Sequence, residues 1–186
     1  HIMKVYAHYG IRDFIVSTGV KSHIIKEYFL NYESYSNDFT RDFQKDTIEY
    51  QTKHSDIDWR VSVIDTGLNT LKGARIKRLE QYLTDEINMV TYGDGLANID
   101  IGKLLEFHRS HGKIATITGV HPPARFGEIS ESAGVVTAFF EKPQTSVGLI
   151  NGGFMVFNRP LLDHLSARED CDLERGPLET LSLSGE

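Results

Sequence analysis

The chain has 186 residues, 40% of them hydrophobic and 25% charged, a length and balance that suit one domain with a sizeable core and exclude disorder of the whole chain. A formal net charge of -6 without a basic stripe gives a nucleic-acid backbone nothing to bind, so no nucleic-acid partner is expected. The single cysteine, Cys171, excludes an internal disulfide framework and no apolar run is long enough to span a bilayer, so a reducing cytoplasm and no membrane partner are expected.

Ile2, Met3, Tyr6 and Ala7 recur at helical spacing and Gly10 supplies a stop, so the chain opens inside a helix with no cap before it. Asp13 to Ser17 reads as a buried strand, Thr18-Gly19 as its turn, and Lys21 to Leu30 as a helix carrying Ile24, Ile25, Tyr28 and Phe29. This rhythm points to an α/β layer with a parallel sheet. The polar, aromatic stretch 31–59 breaks it and reads as an inserted arm or hairpin with a short strand at Thr47 to Gln51. The sheet resumes at Arg60 to Asp65, a helix covers Gly73 to Tyr82, and Ile87 to Tyr92 is the next strand, ending in Gly93-Asp94-Gly95. Asp100 caps a helix with Ile101, Leu104, Leu105 and His108 on one face, stopped near Gly112. Strands follow at Lys113 to Gly119, around Gly127 to Ile129, at Val135 to Phe140 and at Leu149 to Asn158; Pro160 opens a short helix and Pro177 to Leu183 starts a last one. The whole reads as a single domain, 1–186, with the arm as an excursion.

Four stretches have the residue types that chemistry needs. Asp94, between two glycines at the end of a strand, is an approachable carboxylate suited to Mg²⁺, which takes one or two carboxylates plus phosphate oxygens; it also suits a tight turn in which Asp94 caps the next helix. After an alternating strand, Glu141-Lys142-Pro143 offers a carboxylate for sugar hydroxyls and a cation for a phosphate, or an ordinary exposed pair. In Ile150-Asn151-Gly152-Gly153, paired glycines inside an apolar strand mark either a close approach by a ligand or a bulge. In Arg125-Phe126-Gly127, Gly127 suits a position beneath a flat ring, while Arg125 reads as a solvated side chain. Two weaker stretches, Asp65-Thr66-Gly67 and Lys72-Gly73-Ala74-Arg75, join a strand end to a helix N-terminus, either a plain connection or an anion site. His108 and His111 lack a third ligand in sequence, which disfavours zinc, and the absence of G-x-G-x-x-G and of a P-loop disfavours a dinucleotide oxidoreductase and a P-loop kinase.

In this order the pieces resemble the sugar-nucleotide pyrophosphorylases, a nucleotidyltransferase family. Gly10-Ile11, Lys26-Glu27-Tyr28-Phe29, Asp65-Thr66-Gly67, Lys77-Arg78, Thr91 to Gly95, Arg125-Phe126-Gly127, Phe140 to Pro143 and Ile150 to Phe154 carry the likeness, and Asp65-Thr66-Gly67 with the long arm is most similar to the cytidylyltransferase branch. The resemblance implies an open, mostly parallel Rossmann-like α/β sheet with a small antiparallel addition. It implies cytidylyl transfer from CTP to glucose 1-phosphate, with Mg²⁺ as cofactor and a homo-oligomeric enzyme whose arm, from Tyr32 to Tyr50, meets a neighbouring subunit. By the same resemblance Asp94 holds the metal and, with Lys142, is catalytic. Gly19, Gly73, Arg75 and Gly93 lie on the nucleotide side. Gly127, Glu141, Lys142, Asn151 and Gly152 lie on the sugar-phosphate side.

There are departures. The family opens with a strand and a Gly-rich phosphate loop and closes with a second metal-binding Asp; neither is in residues 1–186, which are therefore expected to be a partial domain, inactive by itself. Lys72 and Ala74 stand where the family reads Thr and Gly, which brings the Ala74 methyl toward the nucleotide. The alternative readings are an inactive homologue acting as a binding or regulatory subunit, and a pyrophosphorylase for another nucleotide or sugar.

Overall fold

The computed structural model describes residues 1–51, 57–122, 127–141 and 148–186. In chain order these form α1 (Ile2–His8), β1 (Asp13–Thr18), α2 (Ser22–Leu30), α3 (Tyr32–Ser36), β2 (Phe39–Asp42), β3 (Thr47–Tyr50), β4 (Arg60–Asp65) and α4 (Lys72–Arg78). Next come β5 (Ile87–Thr91), α5 (Ile101–His111), β6 (Ala115–Val120), β7 (Glu128–Ser132), β8 (Val135–Phe140), β9 (Ile150–Asn158) and α6 (Glu179–Ser184). Short 3-10 turns cover Glu80–Tyr82 and Arg159–His164.

The described chain divides into two compact units, one of His1–Glu86 with Arg159–Glu186 and one of Ile87–Asn158. In the first unit β1 pairs with β4 in parallel, Phe14 opposite Val61 and Thr18 opposite Asp65, so both strands end together and their C-terminal turns are neighbours. Gly10 ends the turn after α1 at φ 86°, a left-handed conformation that glycine adopts freely. The described part of the arm is held by local contacts. Asn31 Nδ2 donates to the Glu27 carbonyl at 3.0 Å, the Ser34 and Tyr50 hydroxyls meet at 2.8 Å, and β2 and β3 form an antiparallel hairpin. Tyr28 stacks on Tyr35 at 6.2 Å and meets Tyr32 edge-on at 5.7 Å. The apolar core of this unit is built from Tyr6, Ala74, Ile76 and Leu79 with Leu161, Leu162, Leu165, Leu173 and Leu181, all buried.

The second unit is built on a three-stranded sheet, order β5-β9-β6, with β9 antiparallel to both neighbours. A central strand has both faces to cover, and Gly153 to Phe157 are buried without interruption. Asp100 caps α5 as its position predicts, its carboxylate accepting from the Lys103 N–H at 2.9 Å, and Gly112 closes the helix at φ 65°. The hairpin β7–β8 completes the unit.

The α/β expectation holds, with parallel and antiparallel sheets both present. Among the described residues the parallel part is the β1–β4 pair, and antiparallel pairing is the larger share. α3 is an addition. Its Ser and Tyr content between Asn31 and Asn37 argues for a loop, and the side-chain bonds of Asn31, Ser34 and Asn37 supply what propensity does not. No described helix is long and apolar enough to cross a membrane.

Candidate active site

The expected nucleotide-side residues Gly19, Gly73 and Arg75 belong to the first unit, and two of them meet. Gly19 follows β1 so closely packed that a Cβ there would lie 2.6 Å from the Gly67 carbonyl and 2.7 Å from Arg75 Nη2. Arg75 is anchored through one nitrogen. Its Nη1 donates to the Thr18 carbonyl at 2.9 Å and to the Thr66 hydroxyl at 2.7 Å. Among the described residues Nη2 and Nε of Arg75 make no hydrogen bond, so three N–H donors remain on a half-buried guanidinium beside the two strand ends. Arg78, one turn on, contrasts with it. Its Nη1 donates to the Thr66 carbonyl and the Thr70 hydroxyl and its Nε to the Ala167 carbonyl, so it serves as scaffold.

Asp65 ends β4 opposite Thr18. The Gly67 N–H, 2.9 Å from its carboxylate, holds the Asp65 pKa below the usual carboxylate range, with Lys26 and Arg75 adding positive charge nearby. Gly73 is buried, and the close approach there is to the chain itself: a Cβ would lie 2.7 Å from the Asp172 carbonyl and 2.9 Å from Cys171 Sγ. Ala74 is fully buried, its N–H donating to the Cys171 carbonyl at 3.0 Å, so its methyl belongs to the packing of α4.

The other candidates belong to the second unit. Gly93-Asp94-Gly95 follows β5. Among the described residues a Cβ on either glycine would meet nothing within 4 Å, so the turn is open there on both sides of the carboxylate. Asp94 is exposed and no group among the described residues holds it; the cap of the next helix is Asp100. No three His, Cys, Asp or Glu among the described residues cluster as a metal site, so Asp94 offers a single carboxylate. That donor count fits a hard cation that keeps most of its ligands as water and phosphate oxygens.

Asn151 is placed by its own amide. Its Nδ2 donates to the Tyr92 hydroxyl at 3.1 Å and its Oδ1 accepts the Gly153 N–H at 2.9 Å, which among the described residues leaves one N–H and one lone pair for another partner. The paired glycines coincide with a register shift between Ile117 and Gly119 of β6. A Cβ on Gly152 would lie 2.7 Å from Val120 Cγ1, and one on Gly153, at φ 82°, 2.7 Å from the Tyr92 ring. Bulge and close approach therefore occur together, the approach being that of the chain to itself. Gly127 and Glu141 are brought together on the β7–β8 hairpin: a Cβ on Gly127 would lie 2.7 Å from Phe139 Cζ and 3.2 Å from a Glu141 carboxylate oxygen. Lys142, Arg125 and Phe126 lie outside the described residues.

Two groups go unmarked as site residues in the sequence reading. Tyr92 tethers Asn151, and Thr66 joins β1 to Arg75. The signal for each is its place in a turn motif at a strand end, Tyr92-Gly93-Asp94 and Asp65-Thr66-Gly67.

Comparison with known proteins gives a concordant picture. The family model described as nucleotidyl transferase matches residues 1–183. The glucose-1-phosphate cytidylyltransferase of Salmonella typhi is 42% identical over 187 aligned residues, covering all of this chain and 72% of that protein. The probable glucose-1-phosphate cytidylyltransferase of Bacillus subtilis (strain 168) is 39% identical over 186 residues, with the same coverage. Among solved structures, HddC from Yersinia pseudotuberculosis superposes with a TM-score of 0.60 at 18% identity, over 93% of this chain and 67% of that one, a likeness of fold.

Proposed function

The chain belongs to the nucleotidyl transferase family, and we propose that the protein transfers the cytidylyl group of CTP to glucose 1-phosphate. The observation that carries this reading is the likeness, along the whole chain, to two proteins that bear that activity in their names. In the reaction a phosphate oxygen of glucose 1-phosphate forms a bond to the α-phosphorus of CTP. The bond from that phosphorus to the β-phosphate oxygen breaks, and its electron pair leaves with pyrophosphate. Such a displacement needs reactants held in line and negative charge met by fixed donors, more than it needs a protein nucleophile.

The proposed roles are those the family likeness implies, and the local geometry supports several of them. The open N–H groups of Arg75 face the nucleotide, and Gly19 beside them lets the backbone come close. Asp94 holds Mg²⁺, which when bound supplies positive charge toward the triphosphate. Glu141 and Asn151 take hydroxyls of the sugar, Gly127 and Gly152 let Phe139 and Val120 pack tightly around that side of the site, and Lys142 holds its phosphate. Gly93 contributes backbone rather than side-chain contacts, and Gly73 serves the nucleotide side by letting α4 pack on Cys171 and Asp172. CTP, glucose 1-phosphate and Mg²⁺ are thus the proposed partners, and a second copy of the chain meets the exposed aromatic arm, where Tyr35 and Phe43 are open to solvent.

The reverse direction tests the assignment. With Mg²⁺ and pyrophosphate, the complete gene product should convert CDP-glucose to CTP and glucose 1-phosphate, faster than it converts GDP-mannose or UDP-glucose. Equal or faster use of either competitor would reassign the base or the sugar.

A further inference from the structure

We propose that Thr66 is a positioning residue for the nucleotide side of the reaction, acting through Arg75. The inference rests on the reading above that Arg75 faces the nucleotide. Thr66 lies directly after β4 and is 2% exposed, too buried to touch a substrate. Its hydroxyl has its full set of partners. It donates to the Thr18 carbonyl at 3.0 Å, accepts from Arg75 Nη1 at 2.7 Å and accepts from the Ser17 hydroxyl at 2.8 Å. The assignment of donors follows from counting: the one hydroxyl hydrogen goes to the carbonyl, so Arg75 and Ser17 must supply theirs. The Thr66 N–H also donates to the Thr18 carbonyl, at 2.9 Å.

Two acceptors therefore fix Arg75 Nη1, and both belong to the join between β1 and β4. Thr18 and Thr66 hold one nitrogen of a planar fork. Fixing that nitrogen fixes the plane, and with it the directions of the N–H groups left open on Nη2 and Nε. A long side chain that starts on α4 would otherwise lose rotamer freedom when it binds a ligand; anchored to the strand ends, it has lost that freedom already. Arg78 reports the same Thr66 through its carbonyl, at 2.7 Å, so the turn is clamped from two sides. Of the two bonds to Arg75, the Thr66 hydroxyl is the one a side-chain substitution can remove.

Three variants of the complete gene product test this, read by steady-state kinetics of pyrophosphate release with each substrate varied in turn. Thr66→Val keeps the shape and removes the hydroxyl. It should raise KM for CTP about tenfold while KM for glucose 1-phosphate stays within about twofold. Thr66→Ser restores the hydroxyl and should return KM for CTP to within about threefold of the parent. Ser17→Ala removes the donor behind Thr66 without touching Arg75 and should raise KM for CTP alone, by about threefold, and it reads the network even if Thr66→Val does not fold. A loss of melting temperature with both KM values unmoved, or with both moved equally, would overturn the positioning role and leave Thr66 a packing residue. If the parent turns over other nucleotides but not CTP, the base assignment fails while the Thr66 test proceeds with the nucleotide used; if it binds and turns over none, both readings fall.

Discussion

Asp94 and Gly153 show how differently two residues of one unit answer to substitution. Asp94 is exposed, flanked by open glycines, and held by no described group. Its carboxylate contributes nothing visible to the fold, so Asp94→Asn should leave the melting temperature of the complete gene product unchanged within about 2 °C, since exposed substitutions of this kind stay within about 0.5 kcal/mol. The same change should lower kcat/KM by about 100-fold or more if the carboxylate holds the metal. Gly153 is the reverse case. It is buried at φ 82° with the Tyr92 ring where a Cβ would stand. Gly153→Ala should cost about 2–3 kcal/mol in urea unfolding, combining left-handed backbone strain with overpacking. It should also displace Tyr92 and with it the Asn151 amide. A Gly153→Ala protein as stable as its parent would mean that the bulge relaxes at no cost.

At the scale of elements, the C-terminal end of α5 is fastened to β6 and β9 by a closed ring of hydrogen bonds. The Lys113 N–H donates to His111 Nδ1 at 2.9 Å. His111 Nε2 then carries the hydrogen and donates to the Thr116 hydroxyl at 2.7 Å, and that hydroxyl donates to His108 Nδ1 at 2.8 Å. His108 Nε2 donates to Asn158 Oδ1 at 3.2 Å, and Asn158 Nδ2 closes the ring on the Lys113 carbonyl at 2.8 Å. Each imidazole accepts at one nitrogen and donates at the other in this arrangement. Burial pushes the His108 pKa down from its ordinary 6.5, the Asn158 bond opposes it, and the nearby His111 and Arg109 push down as well. The sign follows: the unfolded chain takes up a proton at His108 below pH 6.5 more readily than the folded one. This contribution to stability is complete above pH 6.5 and is lost as pH falls from there through the lowered folded value. Urea midpoints should therefore fall between pH 7 and pH 5, and His108→Gln should flatten that fall; an unchanged slope in His108→Gln would show that His108 does not titrate with folding.

The sequence made α5 legible at both ends, because Asp100 and Gly112 are chemical signals with fixed offsets, and it placed His108 on the apolar face. It did not show the ring, since His108, Thr116 and Asn158 come from three elements whose register no local pattern states. The same limit applies to the site. Asp94 and Asn151 stand out by the glycines beside them, whereas Thr66 looks like one more turn residue until β1 and β4 are paired. Gly73 illustrates the converse: the motif marks it, and the structure shows a glycine required by Cys171 and Asp172 packing against α4.

For the molecule as a whole, the two units divide the expected chemistry. The first carries Gly19, Gly73 and Arg75; the second carries Gly93, Asp94, Gly127, Glu141, Asn151 and Gly152. The charge distribution suits that division. A chain with net charge -6 binds anionic substrates only where donors are concentrated locally, and the Arg75 fork is such a place among the described residues. The family assignment rests on the match over residues 1–183 and the choice of base and sugar on the two cytidylyltransferase relatives, so that choice is what most needs a direct measurement. That measurement is pyrophosphate release by the complete gene product with glucose 1-phosphate and Mg²⁺, in parallel reactions with CTP, UTP, GTP and dTTP. The account predicts the highest kcat/KM with CTP, CDP-glucose as the product, and loss of turnover with EDTA. Release of pyrophosphate that favours another nucleotide, or none with any of the four from a folded protein, would contradict it.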